Sequence, residues 1–450
     1  LGPLAFTTTQ GSGANDATSF VGTAGVDTLT VQAQSNPFYV EALDSGDSVL
    51  LSNFSNTYVM EGGNIRGGQG NDTITTTGTT ATGITVVDST INGNQGDDAI
   101  GVALTNYSES DVYGGQGDDT LLVRNLFGGF INGNKNTDTI TTSNGGTITG
   151  QIYGGQGTDT INISGDVNGG GVRGDKDVDI LNIGAAAAVV QNFTNATFNG
   201  NEGNDQIAFD VRVAASAVSN TTVYGGKGDD VITSAVTSTE EAVFSGDIGN
   251  DTITKGANSQ NDTLLGGAGT DSITANTGTN RIEAGADADI ITSTGIADTI
   301  VQATGDSNAA TGIVDAGNAA ALGNGVAMAV GDTISIDADV VTAFAATDRL
   351  EMGSTVSTGI TGATGIAGQS VGAATVAGIN VIFGSFNAAT NVFTTANVST
   401  ASGANDAGSD ALVFTAAAAG VNYSSAAAAF GSNAVVITNS NNSITAGSFV

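Results

Sequence analysis

One short pattern recurs eleven times between residues 65 and 291: an apolar residue, a glycine-rich turn, an aspartate, then Ile or Leu two positions on. The first copy reads Ile65-Arg-Gly-Gly-Gln-Gly-Asn-Asp72-Thr-Ile74, and the others carry Asp98, Asp119, Asp138, Asp159, Asp179, Asp205, Asp230, Asp251, Asp271 and Asp289. Seven residues before each aspartate the side chain is always apolar, from Ile65 to Ile282. Repetition at this period indicates stacked units that bury a core only together. The apolar runs are rich in Ile, Val and Thr, which suit strands rather than helices. Spacings of 18 to 26 residues leave room for two short strands and two turns. Each unit is therefore expected to be one coil of an all-β, parallel β-solenoid, with the Ile or Leu after each aspartate pointing inward.

Stacking forces the aspartates into a row. At a strand spacing of about 4.8 Å, neighbouring carboxylates repel by roughly 0.9 kcal/mol in bulk water and several times more at lower effective dielectric. The pairs Asp97-Asp98, Asp118-Asp119 and Asp229-Asp230 add to this, and the chain has 10 Lys and Arg against 44 Asp and Glu. Such a row needs cations. With no His and no Cys in the chain, the donors are carboxylates and turn carbonyls, which specify a hard ion, Ca²⁺ above all. Glycines supply the turn's crowded and positive-φ positions. Asn94, Asn134 and Asn201 stand where other copies have the second glycine, and Asn tolerates that geometry best among the remaining residues.

The segments Gly67-Gly-Gln-Gly-Asn-Asp72-Thr-Ile74, Gly114-Gly-Gln-Gly-Asp-Asp119-Thr-Leu121 and Gly225-Gly-Lys-Gly-Asp-Asp230-Val-Ile232 resemble the repeats-in-toxin (RTX) nonapeptide, GGxGxDxUx. The resemblance covers about residues 61 to 300. It implies a right-handed parallel β-roll that holds several calcium ions between successive turns. Carried onto this chain, the implied ligand positions are the aspartates Asp72, Asp98, Asp119, Asp138, Asp159, Asp179, Asp205, Asp230, Asp251, Asp262, Asp271, Asp289 and Asp298. The implied turn positions are Gly67, Gly70, Gly93, Gly114, Gly117, Gly154, Gly200, Gly225, Gly228, Gly246 and Gly266. The pattern is strictest where Asp262, Asp271, Asn280, Asp289 and Asp298 fall nine apart. Upstream the motif appears once per coil, so calcium is expected on one edge, with varied turns on the other. Asn136, Asp177 and Asp287 replace the last turn glycine, and their sites are expected to be weakened, altered or vacant, with an extra carboxylate available in the Asp177-Val-Asp179 copy.

Residues 1 to 60 read as divergent coils that cap the stack, with one unit at Asp27 and another near Asp44 to Leu51. Residues 61 to 300 form the calcium-binding body. Residues 301 to 450 form a low-charge β-rich region: after residue 352 no basic residue occurs, and the only acids are Asp406 and Asp410. Asp332 and Asp348 read as last echoes of the repeat. This region is expected to be a packed cap, an assembly surface, or both, and its ending is similar to the secretion segments of RTX-like proteins.

Absence of His and Cys excludes histidine-ligated zinc hydrolysis, Ser-His-Asp triads and cysteine nucleophiles. A formal charge of −34 opposes nucleic acid and anionic membranes as partners, and no apolar stretch is long enough to span a bilayer. The opening Leu-Gly-Pro-Leu-Ala-Phe has no signal-peptide pattern; type I secretion is what the resemblance implies. Tyr113, Tyr153 and Tyr224 each follow an inward residue, so alternation turns them outward. There they either stack on sugars or a neighbouring subunit, or simply cover the outer sheet. The expected protein is a non-catalytic, calcium-binding, extracellular or cell-surface structural protein that self-associates into a layer, sheath or fibre. The alternatives are a calcium-dependent adhesin or glycan-binding module, or a secreted enzyme acting on polysaccharide.

Overall fold

The computed structural model describes residues 7–10, 18–32, 38–52, 59–77, 85–101, 105–184, 191–210, 217–235, 241–256, 261–276, 278–294, 297–303, 306, 308–314, 333–345, 347–352, 378–395, 410–416 and 434–438. Within these, every regular element is a strand, and no helix is long and apolar enough to cross a membrane. The chain divides into two compact units, Leu1–Ala242 and Val243–Val450.

The first unit is a stack of coils with three sheets rather than the expected two. One sheet runs in parallel register through Gly63–Gln69, Thr90–Gln95, Asp111–Gln116 and Phe130–Lys135, and onward to Thr221–Lys227. It carries the residues from the inward apolar position into the glycine turn. A second sheet holds the strands after each aspartate, from Thr28–Gln32 through Thr120–Val123 to Val231–Ser234. The third stacks short strands such as Thr85–Val87, Asn106–Ser108, Asn125–Phe127 and Asn192–Thr194. The 19- to 26-residue spacings here are therefore filled by a third strand and a third corner. Antiparallel Thr7–Gln10 covers the first parallel strand, Thr18–Val21, which keeps that terminal edge from standing open.

Three columns of apolar side chains meet inside. Ile91, Val112, Ile131 and Ile152 stack from the first sheet, Ile100, Leu121, Ile140 and Ile161 from the second, and Val86, Tyr107, Leu126 and Ile148 from the third; all are buried. Each fully buried aliphatic contributes about 1.5–3 kcal/mol, and strict in-register stacking repeats that gain coil after coil. One coil places a phenylalanine on every face: Phe193, Phe198 and Phe209 have ring centroids 5.4–5.8 Å apart.

The second unit begins as a two-sheet roll. Thr263–Ala268, Arg281–Ala286, Thr299–Gln302 and Arg349–Met352 form one face, and Thr252–Lys255, Ser272–Ala275, Ile290–Ser293 and Asp339–Thr342 the other. Ala434–Ile437 adds in parallel to Asp339–Thr342. From there the sheet turns antiparallel through Asp410–Ala416, Gly378–Asn387, Val392–Thr395, Thr333–Asp337 and Asn308–Val314. Ile334, Ile336, Phe393, Leu412, Phe414 and Val436 form its own apolar core. Asp332 and the last twelve residues lie outside the described residues.

Phe209→Ala leaves a void where three rings meet and is expected to cost about 3–5 kcal/mol in denaturant unfolding. A loss below about 1 kcal/mol would mean that the three columns do not form one packed core.

Candidate metal centre

Each repeat aspartate sits at the corner between the first and second sheets, and its side chain is turned into the solenoid. Asp72, Asp98, Asp119, Asp138, Asp159, Asp179, Asp205 and Asp230 are at most 2% exposed, which puts the row inside the wall and not on its surface. One carboxylate oxygen is used by the stack. Oδ1 of Asp98 accepts the N–H of Asp72 at 2.7 Å, Oδ1 of Asp119 accepts that of Asp98 at 2.8 Å, and the relay continues to Asp230. In the second unit Asp251, Asp271, Asp289 and Asp339 are joined in the same way.

The other oxygen has no such use. Oδ2 of Asp47, Asp72, Asp98, Asp119, Asp138, Asp159, Asp179, Asp205, Asp271 and Asp289 is buried with no hydrogen-bond partner. In eight of these ten it is aimed at the turn's first glycine, and in the Asp47 and Asp289 copies Ala42 and Ala284 hold that position. A Cβ on Gly114 would collide with Asp119 Oδ2 and would lie 2.6 Å from the carbonyl oxygen of Gly133 in the next coil. The same two oxygens, one carboxylate and one turn carbonyl from adjacent coils, crowd Gly67, Gly93, Gly154, Gly200, Gly246 and Gly266; the Gly225 carbonyl serves Gly200, and the Ala284 carbonyl serves Gly266. At these positions glycine fits by close approach, because its missing side chain keeps open the space on which the oxygens converge; Ala284 before Asp289 is the exception.

A buried carboxylate with an unanswered oxygen resists ionisation. The carboxyls are pushed up from 3.8 to about 7 at Asp72, Asp98, Asp119, Asp159 and Asp271, and to about 8 at Asp138, Asp179 and Asp289. Asp205 rises to about 6. Burial is the largest cause, the accepted N–H pulls the other way, and neighbouring carboxylates add at most positions. Such a site must hold a proton or a cation. All-oxygen donors, one charged and one neutral per coil step, fit a hard divalent ion. Among the described residues no cluster of three or more His, Cys, Asp or Glu side chains occurs; the other oxygens at each corner are backbone carbonyls.

The sequence-derived positions divide into distinct places. Of the doubled pairs, Asp98, Asp119 and Asp230 point in while Asp97, Asp118 and Asp229 are exposed at the lip. There Asp97 Oδ1 accepts the Asp118 N–H at 2.9 Å. Gly70, Gly117 and Gly228 hold φ of 102° to 130° at the last turn position. Asn94, Asn134 and Asn201 are left-handed as expected, and so are Asn136, Asp177 and Asp287, so the turn survives these replacements. Asp138, Asp179 and Asp289 keep the buried geometry of the other copies. Asp175 and Asp247, unremarked in the sequence, also take second-glycine geometry, with φ of 85° and 75°. Asp27 and Asp47 extend the row, and so does Asp339, whose signal was its place nine residues before Asp348. Asp262 and Asp298 belong to a second row in the second unit, with Asn280 and Asp348. Tyr113 and Tyr153 pack edge-on against Phe130, with centroids 5.0 and 6.1 Å away, and the Arg173 guanidinium lies 5.8 Å from the Tyr153 ring centroid.

Residues 63–78, 219–235 and 256–291 match the family of RTX calcium-binding nonapeptide repeats, in four copies. No curated protein and no solved structure matches the chain significantly.

Two predictions follow from this geometry. Carboxyls with folded values of about 6 to 8 and ordinary values near 3.8 in the unfolded chain favour folding at low pH, and that contribution is lost as pH rises through 6 to 8. In chelator, the melting temperature is expected to fall between pH 5 and pH 8.5, and calcium to remove the trend; a flat profile in chelator contradicts it. Gly114→Ala should cost about 1–3 kcal/mol in calcium-loaded protein. Gly25→Ala, where the nearest atom is 3.9 Å away, should stay within about 0.5 kcal/mol. Equal effects of the two in thermal melts would refute the close-approach argument.

Proposed function

We propose, taking the chain as the RTX-type β-roll protein that its repeats and stacked coils make it, that it is a non-catalytic, calcium-loaded structural protein working outside the cell. The observation that carries this reading is the row of buried Oδ2 atoms with no protein donor. Calcium is bound between coils, within each unit, by Asp72, Asp98, Asp119, Asp138, Asp159 and Asp205 in the first and by Asp251 and Asp271 in the second, with the first-turn carbonyl of the following coil. Calcium then acts as a folding switch. Where it is scarce the acidic coils repel, and where it is plentiful the row closes, since binding and folding share one free energy. Extracellular calcium suits weak sites of this kind. Self-association into a layer, sheath or fibre is the use proposed for the folded protein, with export by the type I route.

A second reading, a glycan-binding module, is favoured by one observation: Tyr113, Phe130, Tyr153 and Arg173 form a partly exposed aromatic and cationic cluster on the outer face. Sedimentation and circular dichroism across a titration from chelator to about 10 mM calcium, a range spanning weak extracellular sites, separate the two. Folding with growth into large ordered particles is the expected result. Folding that ends at a soluble monomer favours the second reading, and β-structure indifferent to chelator refutes both.

A further inference from the structure

The two-sheet roll of the second unit has two turn edges, and they are built differently. On the first edge Gly246, Gly266 and Ala284 stand in strand register and face Asp251, Asp271 and Asp289 across the turn. On the second edge the matching column is Lys255, Ala275 and Ser293, also in register. Ala275 and Ser293 lie five residues before Asn280 and Asp298, the same offset as Gly266 before Asp271. Lys255 reaches the same place ahead of Asp262 through a longer connection.

Where the first edge keeps a gap, at Gly246 and Gly266, the second places a polar side chain, at Lys255 and Ser293. Lys255 is 1% exposed, its ammonium is paired with Asp262 Oδ2, and it lies 5.1 Å from the Phe244 ring centroid. Ser293 Oγ donates to Asp298 Oδ2 at 2.7 Å and lies 3.2 Å from Asp348 Oδ2. Ala275, which donates nothing, faces Asn280, which carries no charge, and the Asn280 side-chain amide donates to Asp298 Oδ1 at 3.0 Å. A donor stands wherever this column meets a carboxylate and is missing where it meets an amide. We propose that Lys255 is a built-in cation, and that the row Asp262, Asn280, Asp298, Asp348 is held by protein donors and binds no calcium, although the nonapeptide match covers Asp262 and Asn280. A calcium ion beside Asp262 would meet the Lys255 charge in the space the lysine stem already fills. This edge therefore stays formed when calcium leaves the other. The calcium half of the proposal rests on the reading of the first row; the Lys255 pairing does not.

Bound calcium per folded full-length chain, measured by equilibrium dialysis for the unsubstituted protein, Asp298→Asn and Asp271→Asn, tests the first half. Asp298→Asn should keep the full count and Asp271→Asn should lose at least one ion; equal losses overturn the proposal. Thermal melts of Lys255→Met, Asp262→Asn and the double variant in saturating calcium test the second. Lys255→Met alone strands a buried carboxylate and should lower the melting temperature by about 10 °C, and the double variant should recover most of it. If Lys255→Met alone does not fold, recovery of folding by Asp262→Asn supports the pairing as well, and additive losses or failure to recover overturn it. A chain that binds no calcium at all overturns the first-row reading, while the melting cycle still decides the pairing.

Discussion

Everything in this solenoid depends on a carboxylate that is half used. From Asp72 to Asp205 Oδ1 ties each aspartate to the coil before it, at 2.7–2.8 Å, and Oδ2 is left buried without a donor, facing backbone oxygen at most of these corners. The first bond makes the stack regular; the second oxygen makes the stack conditional. A net contribution of about 1.5–3 kcal/mol from a hydrogen bond to a charged group is smaller than the cost of burying that charge without a counter-charge. The balance is restored only when a proton or a cation enters, which is why the fold and its cation are one problem.

The same corner serves two different cross-sections. In the first unit the coil returns through a third sheet, and the corner between the third and first sheets carries hydroxyls or no polar side chain at all: Ser89 Oγ accepts the Gly63 N–H at 3.0 Å, Ser110 Oγ the Ser89 N–H at 3.2 Å, and Gly129, Gly150 and Gly170 hold the same place in later coils. A hydroxyl brings its own proton, so that corner has no charge to neutralise. In the second unit the coil returns directly, and the second corner repeats the acidic geometry with the Asp262 charge answered by Lys255 and with Asn280 and Ser293 donating to Asp298. Three corner chemistries therefore support parallel stacking, and calcium is proposed for one of them.

Much of this was legible in the chain. Alternation and the seven-residue offset announce the Ile65, Ile91 and Val112 column, and the left-handed Asn94, Asn134 and Asn201 stand where glycine was missing. The third sheet was not legible, because strands such as Thr85–Val87 and Asn125–Phe127 are three residues long and lack any motif. Asp339 was hidden by the 50 residues that separate it from Asp289 and by the loss of the turn glycines around it. Lys255 could have been found: Thr252-Ile253-Thr254-Lys255 alternates, and parity places a lysine inward in a chain with few cations. Its partner could not, because Asp262 lies across a connection of irregular length.

The most direct test of the account is diffraction from calcium-grown crystals of the full chain, with data collected at long wavelength to locate calcium by its anomalous signal. The account predicts peaks along the first row, each between an aspartate Oδ2 and the first-turn carbonyl of the following coil, and none beside Lys255, Asp262 or Asp298. A first row without anomalous signal, its Oδ2 atoms bonded to water or to protein donors, would contradict it.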